Sequence, residues 1–160
     1  MTDKDDKSDN AGVRFPPPFI YLGILLIGIG AERFVPLRHF GLDRALLIFG
    51  GVALAFAGIL LASLAVGLFR KADTSPEPWT GTSAIVTGGV YRFTRNPMYL
   101  GMALIYAGLA FIADSPVALI LLPVVLIVIQ TQVIAREERY LAARFGESYL
   151  DYKRRVRRWL

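Results

Sequence analysis

Four apolar runs separated by short charged segments constrain this 160-residue chain more than any other feature. They cover about residues 19–34, 42–69, 97–113 and 116–134. A soluble domain spreads its charges along the sequence, whereas charges pushed to the ends of long apolar runs mark a chain that crosses a bilayer repeatedly. The second run is long enough to cross with tilt. The first would rise only about 24 Å as a helix, short of a hydrocarbon core of roughly 30 Å. Its flanking prolines and Glu32-Arg33 are expected in the interface. The expectation is an all-α, multi-pass membrane protein with about four transmembrane helices.

Local signals refine that picture. Residues 1–18 are polar, rich in Asp and end in three prolines, the composition of a disordered tail. Their acidic start differs from the basic start of a cleaved signal. Residues 19–160 are expected to form a single membrane domain. Gly50, Gly51, Ala53, Ala57, Gly58 and Ala62 give the second run small residues at the spacing that lets helices approach closely in lipid. The connection over 70–95 is longer than most loops and rich in turn residues, which points to function or disorder. Asp114-Ser115-Pro116 predicts a tight reversal, with Ser115 as N-cap and Pro116 in the first turn, so the third and fourth runs form a helical hairpin. Pro123 is expected to kink the fourth helix.

Residues 135–160 are strongly charged. Gly146 is placed as a helix cap or bend. Beyond it Tyr149, Tyr152, Val156 and Trp159 recur at helical spacing among Lys153, Arg154, Arg155, Arg157 and Arg158. Such a pattern predicts an amphipathic helix lying on the membrane surface.

Charge sets the orientation. With four spans, the N-terminal segment, the 70–96 connection and the C-terminal tail share one side and hold fifteen Lys and Arg. The opposite side holds three: Arg33, Arg38 and Arg44. The positive-inside rule then places both termini in the cytoplasm, and the net charge of +5 suits an anionic membrane surface. No nucleic-acid-binding motif accompanies that charge. The chain has no cysteine and one histidine, His39, so no metal site is expected; thiolate zinc sites and cysteine nucleophiles are excluded.

The hairpin sets the stretch YRFTRNPMYLG, Tyr91 to Gly101, beside Glu137 and Glu138 at one membrane face. Asn96-Pro97 is a good helix start in its own right, and the two glutamates could be only a solvated helix face. Together, an acidic pair, a helix N-terminus, Arg95 and two tyrosines would line an interfacial pocket. Carboxylates can hold hydroxyls or an ammonium, while Arg95 and the helix N-terminus can hold an anion. His39 falls on the opposite face.

The run AIVTGGVYRFTRNPMYLG (Ala84 to Gly101), followed across the hairpin by EERYLAARFGESYLDYKRRV (Glu137 to Val156), resembles the isoprenylcysteine carboxyl methyltransferase family and the related phospholipid methyltransferases. The resemblance covers about Ser83 to the C-terminus. It implies an integral-membrane enzyme that uses S-adenosylmethionine, with a cofactor pocket open to the cytoplasm and a lipophilic small-molecule or lipidated substrate arriving from the bilayer. Carried over by position, the cofactor-contacting residues are Ser83, Ala84, Ile85, Val86, Tyr91, Asn96, Pro97, Met98, Tyr99, Glu137 and Glu138. Three positions depart from the family pattern. Asn96 stands for the usual histidine, and Ser83 and Val133 for a histidine and a substrate-side arginine of eukaryotic members. Asn96 cannot titrate, so it cannot shuttle a proton.

Methyl transfer asks the protein chiefly to align the groups in a dry site. A carboxylate acceptor is already ionised, and Arg95 is the expected catalytic residue that steers it. A phospholipid amine would first have to lose a proton. A non-catalytic membrane scaffold is the alternative from another class; in it Asn96→Ser would be silent in every assay.

Overall fold

The computed structural model describes residues 11–13, 15–35, 39–77 and 80–160. Six α-helices account for most of them: α1 (Pro17–Ala31), α2 (Arg44–Lys71), α3 (Pro97–Ile112), α4 (Pro116–Ile129), α5 (Ala135–Phe145) and α6 (Glu147–Arg155). No strand occurs among the described residues. The expected disordered tail falls mostly outside them, at residues 1–10 and Arg14. Val13 is nonetheless buried in the main core, and Arg136 donates to the Gly12 carbonyl at 3.2 Å. α1 begins two residues before the expected boundary, because Pro17 and Pro18 fit a first turn that has no use for their missing N–H groups.

Among the described residues two helices are long and apolar enough to cross a membrane: α2, and the continuous helix Pro116–Phe145 formed by α4, a π turn and α5. α1 and α3 are shorter apolar helices. Phe49, Phe56, Ile59 and Leu64 on α2, Leu26 and Ile27 on α1, and Ile120 and Ile127 on α4 are exposed. That surface suits hydrocarbon rather than water.

α2 and α3 pack with their backbones in contact. A Cβ on Gly58 would lie 2.4 Å from the Gly101 carbonyl oxygen, and one on Gly108 would lie 2.4 Å from that of Gly51. The pairs run antiparallel at a seven-residue spacing, so the two helices meet along one face. On the other side, α1 packs against α4 and α3. Tyr21 and Tyr106 fill that core, with their hydroxyls donating to the Tyr99 carbonyl at 2.9 Å and the Ala118 carbonyl at 2.8 Å.

The turn between α3 and α4 matches the sequence expectation. Ser115 Oγ accepts from the Ala118 N–H at 3.2 Å, and Asp114 takes a positive φ of 52°. His39 approaches the Asp114 carbonyl at 2.9 Å. It therefore sits at the C-terminal end of α3, about 24 Å along the helix from Pro97.

The fourth helix departs from expectation in detail. Pro123 lies inside α4, and the helix carries a further irregularity, a π turn at Gln130–Ile134. A π turn inserts a residue and rotates the rest of the helix by roughly 100° relative to an unbroken one. It thus decides which way Glu137 and Glu138 face.

The C-terminus differs more. α6 stops at Arg155, and Val156 is extended at φ −120°, ψ 134°. Tyr149 and Tyr152 are buried against Ala65 and Tyr91, and Trp159 packs on the main core. The apolar stripe expected to meet lipid is covered by protein. Helical spacing holds only as far as the helix does.

Candidate active site

The polar connection after α2 folds back over the helix ends. Ser83 N–H donates to Thr74 Oγ1 at 2.9 Å, and Ser83 Oγ donates to the Asp73 carbonyl at 3.2 Å. The Thr82 N–H donates to Tyr140 Oη at 3.1 Å. A short 3-10 turn, Gly89–Arg92, then brings Tyr91 inward. Gly89 has a φ of 57°, a backbone angle that glycine adopts without steric cost. Tyr91 stands edge-on to Phe69 with ring centroids 5.5 Å apart. Its carbonyl accepts from Tyr152 Oη at 2.8 Å.

Asn96 sits at the N-cap position of α3, but its side chain makes no capping bond. Its Nδ2 donates instead to the Arg158 carbonyl at 2.8 Å. Thr94 Oγ1 donates to the same carbonyl at 3.1 Å, and the Arg95 N–H donates to the Arg157 carbonyl at 3.0 Å. The capping half of the sequence reading is therefore corrected: a tertiary partner takes the amide.

The acidic pair divides because neighbours on a helix point about 100° apart. Glu138 is the centre of a charge cluster. Arg158 grips it at two points, Nε to Oε1 at 2.9 Å and Nη2 to Oε2 at 2.8 Å. Arg95 Nη1 lies 3.1 Å from Oε1 and Lys153 Nζ lies 3.2 Å from Oε2. Burial alone would raise the Glu138 pKa, but these cations hold the carboxyl below its usual range.

Glu137 lies beyond the apolar part of the fourth helix and meets no cation among the described residues. Tyr99 donates its hydroxyl to Glu137 Oε1. Burial pushes this carboxyl up to about 7; the Tyr99 bond opposes the rise, and the Glu138 charge adds to it. Burial likewise pushes Tyr149 up to about 12.

These groups surround one cleft of about 800 Å³, counting its open mouth. Of the residues expected from the sequence, Ala84, Ile85, Val86, Tyr91, Arg95, Asn96, Met98, Tyr99, Glu137 and Glu138 line it. Ser83 and Pro97 do not; Ser83 pins the loop, and Pro97 is fully buried. Sequence reasoning misses Tyr140, Leu141, Tyr149 and Tyr152 in the wall. The aromatic spacing of α6 is the available signal, and by pattern alone it reads as a lipid-facing stripe. Two buried polar atoms here have no hydrogen-bond partner among the described residues: Tyr91 Oη and Arg95 Nε. Orphaned buried donors cost stability and are explained if a ligand completes them.

Comparison with known proteins shows the family. Residues 46–148 match the family model described as phospholipid methyltransferase. Protein-S-isoprenylcysteine O-methyltransferase of Schizosaccharomyces pombe is 35% identical over 72 residues, 45% of this chain and 30% of that protein. The B enzyme of Arabidopsis thaliana is 35% identical over 72 residues, 45% of this chain and 36% of its own length. An uncharacterized Haemophilus influenzae protein is 40% identical over 63 residues, which is 39% of this chain and all of that protein. The matched stretch thus spans about a third of each of the two named enzymes. No solved structure matches the chain. With the family model covering well over half of its length, the chain belongs to the phospholipid methyltransferase family, and over part of its length it is similar to the isoprenylcysteine O-methyltransferases.

Proposed function

We propose that the protein transfers a methyl group from S-adenosylmethionine to a lipophilic acceptor at the cytoplasmic membrane face, and that the acceptor group is a carboxylate. The observation that carries this reading is the cleft that combines Glu137, a carboxylate with no cation partner among the described residues, with Tyr91 Oη and Arg95 Nε, buried and without a hydrogen-bond partner among those residues. The residues present fit the cofactor. Ile85, Val86, Met98 and Leu141 offer apolar walls for a base. Glu137 suits hydroxyls or an ammonium, and Tyr91 Oη can donate to a carboxylate. When bound, S-adenosylmethionine supplies a methyl group whose carbon–sulfur bond breaks, its electron pair staying on sulfur, as the acceptor oxygen bonds to carbon.

Arg95 is the catalytic residue of this reading: its free Nε steers the acceptor carboxylate into line. Ala84, Ile85, Val86, Tyr91, Met98, Tyr99 and Glu137 form the cofactor wall, with Ser83, Asn96, Pro97 and Glu138 supporting it. No proton has to move, which agrees with Asn96 in place of a histidine. The topology that serves this chemistry has four crossings within one domain over 19–160, both termini cytoplasmic, and α6 with its exposed Arg154 and Arg155 against the lipid headgroups. The charge asymmetry of the connections supports it.

Glu137 also favours a second reading. A half-buried carboxyl raised to about 7 is poised as a general base near neutral pH, which N-methylation of a phospholipid amine would require. The product separates the two. Membrane extract incubated with methyl-labelled cofactor should yield a labelled lipid that releases its label as methanol in mild base. Label that withstands base would establish the amine reading. Calorimetry with S-adenosylmethionine tests the shared premise: absence of binding by folded protein overturns both.

Tyr91→Phe gives a sharper check. It keeps the ring on Phe69 and deletes only the orphaned hydroxyl. The ligand-free protein should gain roughly 1 kcal/mol, while cofactor affinity falls about tenfold. Unchanged affinity would remove Tyr91 from the site.

A further inference from the structure

The last five residues connect the two walls of the cleft. The chain leaves α6 in an extended conformation at Val156, and the Arg157 and Arg158 carbonyls take bonds from Thr94, Arg95 and Asn96 at the start of α3. Trp159 Nε1 donates to Gln130 Oε1 in the π turn at 2.9 Å. Arg158 is thereby held by its own backbone while its guanidinium forks Glu138.

That arrangement bears on Arg95. Arg95 and Glu138 are both nearly buried, each side chain 9% exposed, and lie 3.1 Å apart. A lone buried pair would neutralise itself, and Arg95 would have little attraction left for a ligand. Here three cations share one carboxylate. Arg158 takes both oxygens in the fork geometry that suits a carboxylate, and Arg95 touches one oxygen through Nη1 while its Nε is uncommitted among the described residues. The cluster carries an excess of positive charge, directed at the cleft through Arg95.

We propose that Arg158 is a positioning residue for the reaction: by holding Glu138 in a two-point ion pair, anchored through its carbonyl to Thr94 and Asn96, it leaves Arg95 available to an anionic group of the acceptor. This inference rests on the reading that Arg95 meets the acceptor carboxylate. It gives Asn96 and Glu138 work done through the C-terminal segment rather than on a ligand.

The test uses the full-length protein in lipid nanodiscs, with S-prenylated N-acetylcysteine as the probe acceptor. Arg95→Met should raise the acceptor KM by about a hundredfold, the loss expected when one partner of a buried charge pair is removed. Arg158→Met should raise it by about tenfold, because Glu138 then draws Arg95 away, with cofactor Kd within about twofold of wild type. Adding Glu138→Gln to Arg158→Met should return the acceptor KM to within about threefold of wild type, since the competing charge is gone. A segment that only braced the fold would respond oppositely: the double variant would be as impaired as the single one, or more so, and that result overturns the inference. So does an Arg158→Met protein whose acceptor KM is normal while Arg95→Met is impaired. An Arg95→Met variant with an unchanged acceptor KM instead overturns the role given to Arg95 itself. Thermal melting of each variant separates loss of fold from loss of function.

Discussion

Replacing Glu137 with glutamine is expected to weaken S-adenosylmethionine binding by about a hundredfold and to abolish its pH dependence. The size reflects removal of the charged partner of a buried, hydrogen-bonded contact. Glutamine keeps a carbonyl oxygen for the Tyr99 hydroxyl, so the wall stays in place and only the charge is lost. In the wild-type protein without ligand the carboxyl titrates at about 7. A ligand that presents an ammonium and hydroxyls prefers the ionised form and pulls that value down. Above about pH 8 the carboxylate is already formed, and affinity is flat. Below 7 each binding event must release a proton, so affinity falls by up to about tenfold per pH unit. Calorimetry from pH 5.5 to 8.5 reads both the slope and the proton release. A flat wild-type profile, or a glutamine variant that keeps the slope, would take Glu137 out of the site.

The same carboxyl makes an opposite prediction for the empty protein. Its folded pKa lies above the ordinary carboxylate value, so the fold prefers the protonated form. The ionised form costs stability above about pH 7, and that cost disappears as pH falls toward the unfolded value. At pH 8 Glu137→Gln should therefore stabilise the ligand-free protein, by at most about 3 kcal/mol. Binding and stability moving in opposite directions is the mark of a group held ready for a ligand, since a group that served only the fold would lose both.

Much of this architecture is legible before any coordinates. The apolar runs locate four helices to within a few residues, because apolar helices leave long uninterrupted patterns. The hairpin is legible from Asp114-Ser115-Pro116, whose capping chemistry is local. What escapes the sequence is set by contacts between distant residues. Val156 and Trp159 continue the spacing of Tyr149 and Tyr152, yet the backbone opens at Val156, where the start of α3 offers donors to the Arg157 and Arg158 carbonyls. Glu137 and Glu138 look alike as neighbouring letters. The π turn before them, visible in no pattern, decides that one meets the Tyr99 hydroxyl while the other is surrounded by Arg95, Lys153 and Arg158. Asn96 shows both sides: its place at the start of α3 is readable, and its partner sixty-two residues away is not.

The glycines of α2 supply the second large effect, and a control lies beside it. Sequence spacing marks Gly50, Gly51 and Gly58 alike as small residues suited to close packing. The structure separates them. A Cβ on Gly58 would lie 2.4 Å from the Gly101 carbonyl oxygen, 2.8 Å from Ile105 Cγ1 and 2.9 Å from the Ile105 nitrogen, whereas one on Gly50 meets nothing within 4 Å. Backbone atoms cannot swing aside as a flexible side chain can, so α2 and α3 must separate. Gly58→Ala should cost about 3 kcal/mol or more, the upper range for overpacking. Gly50→Ala should be neutral or stabilise by up to about 1 kcal/mol through helix propensity. The consequence reaches the cleft because Phe69, at the end of α2, and Tyr99, at the start of α3, stand in its walls. Splaying the helices widens the space between them. Gly58→Ala should therefore lower both the melting temperature in detergent and the cofactor affinity of the protein that remains folded, while Gly50→Ala leaves the affinity unchanged. Equal melting temperatures for the two variants would mean that α2 and α3 do not meet along this face, and the position assigned to Phe69 in the cleft would fall with that contact.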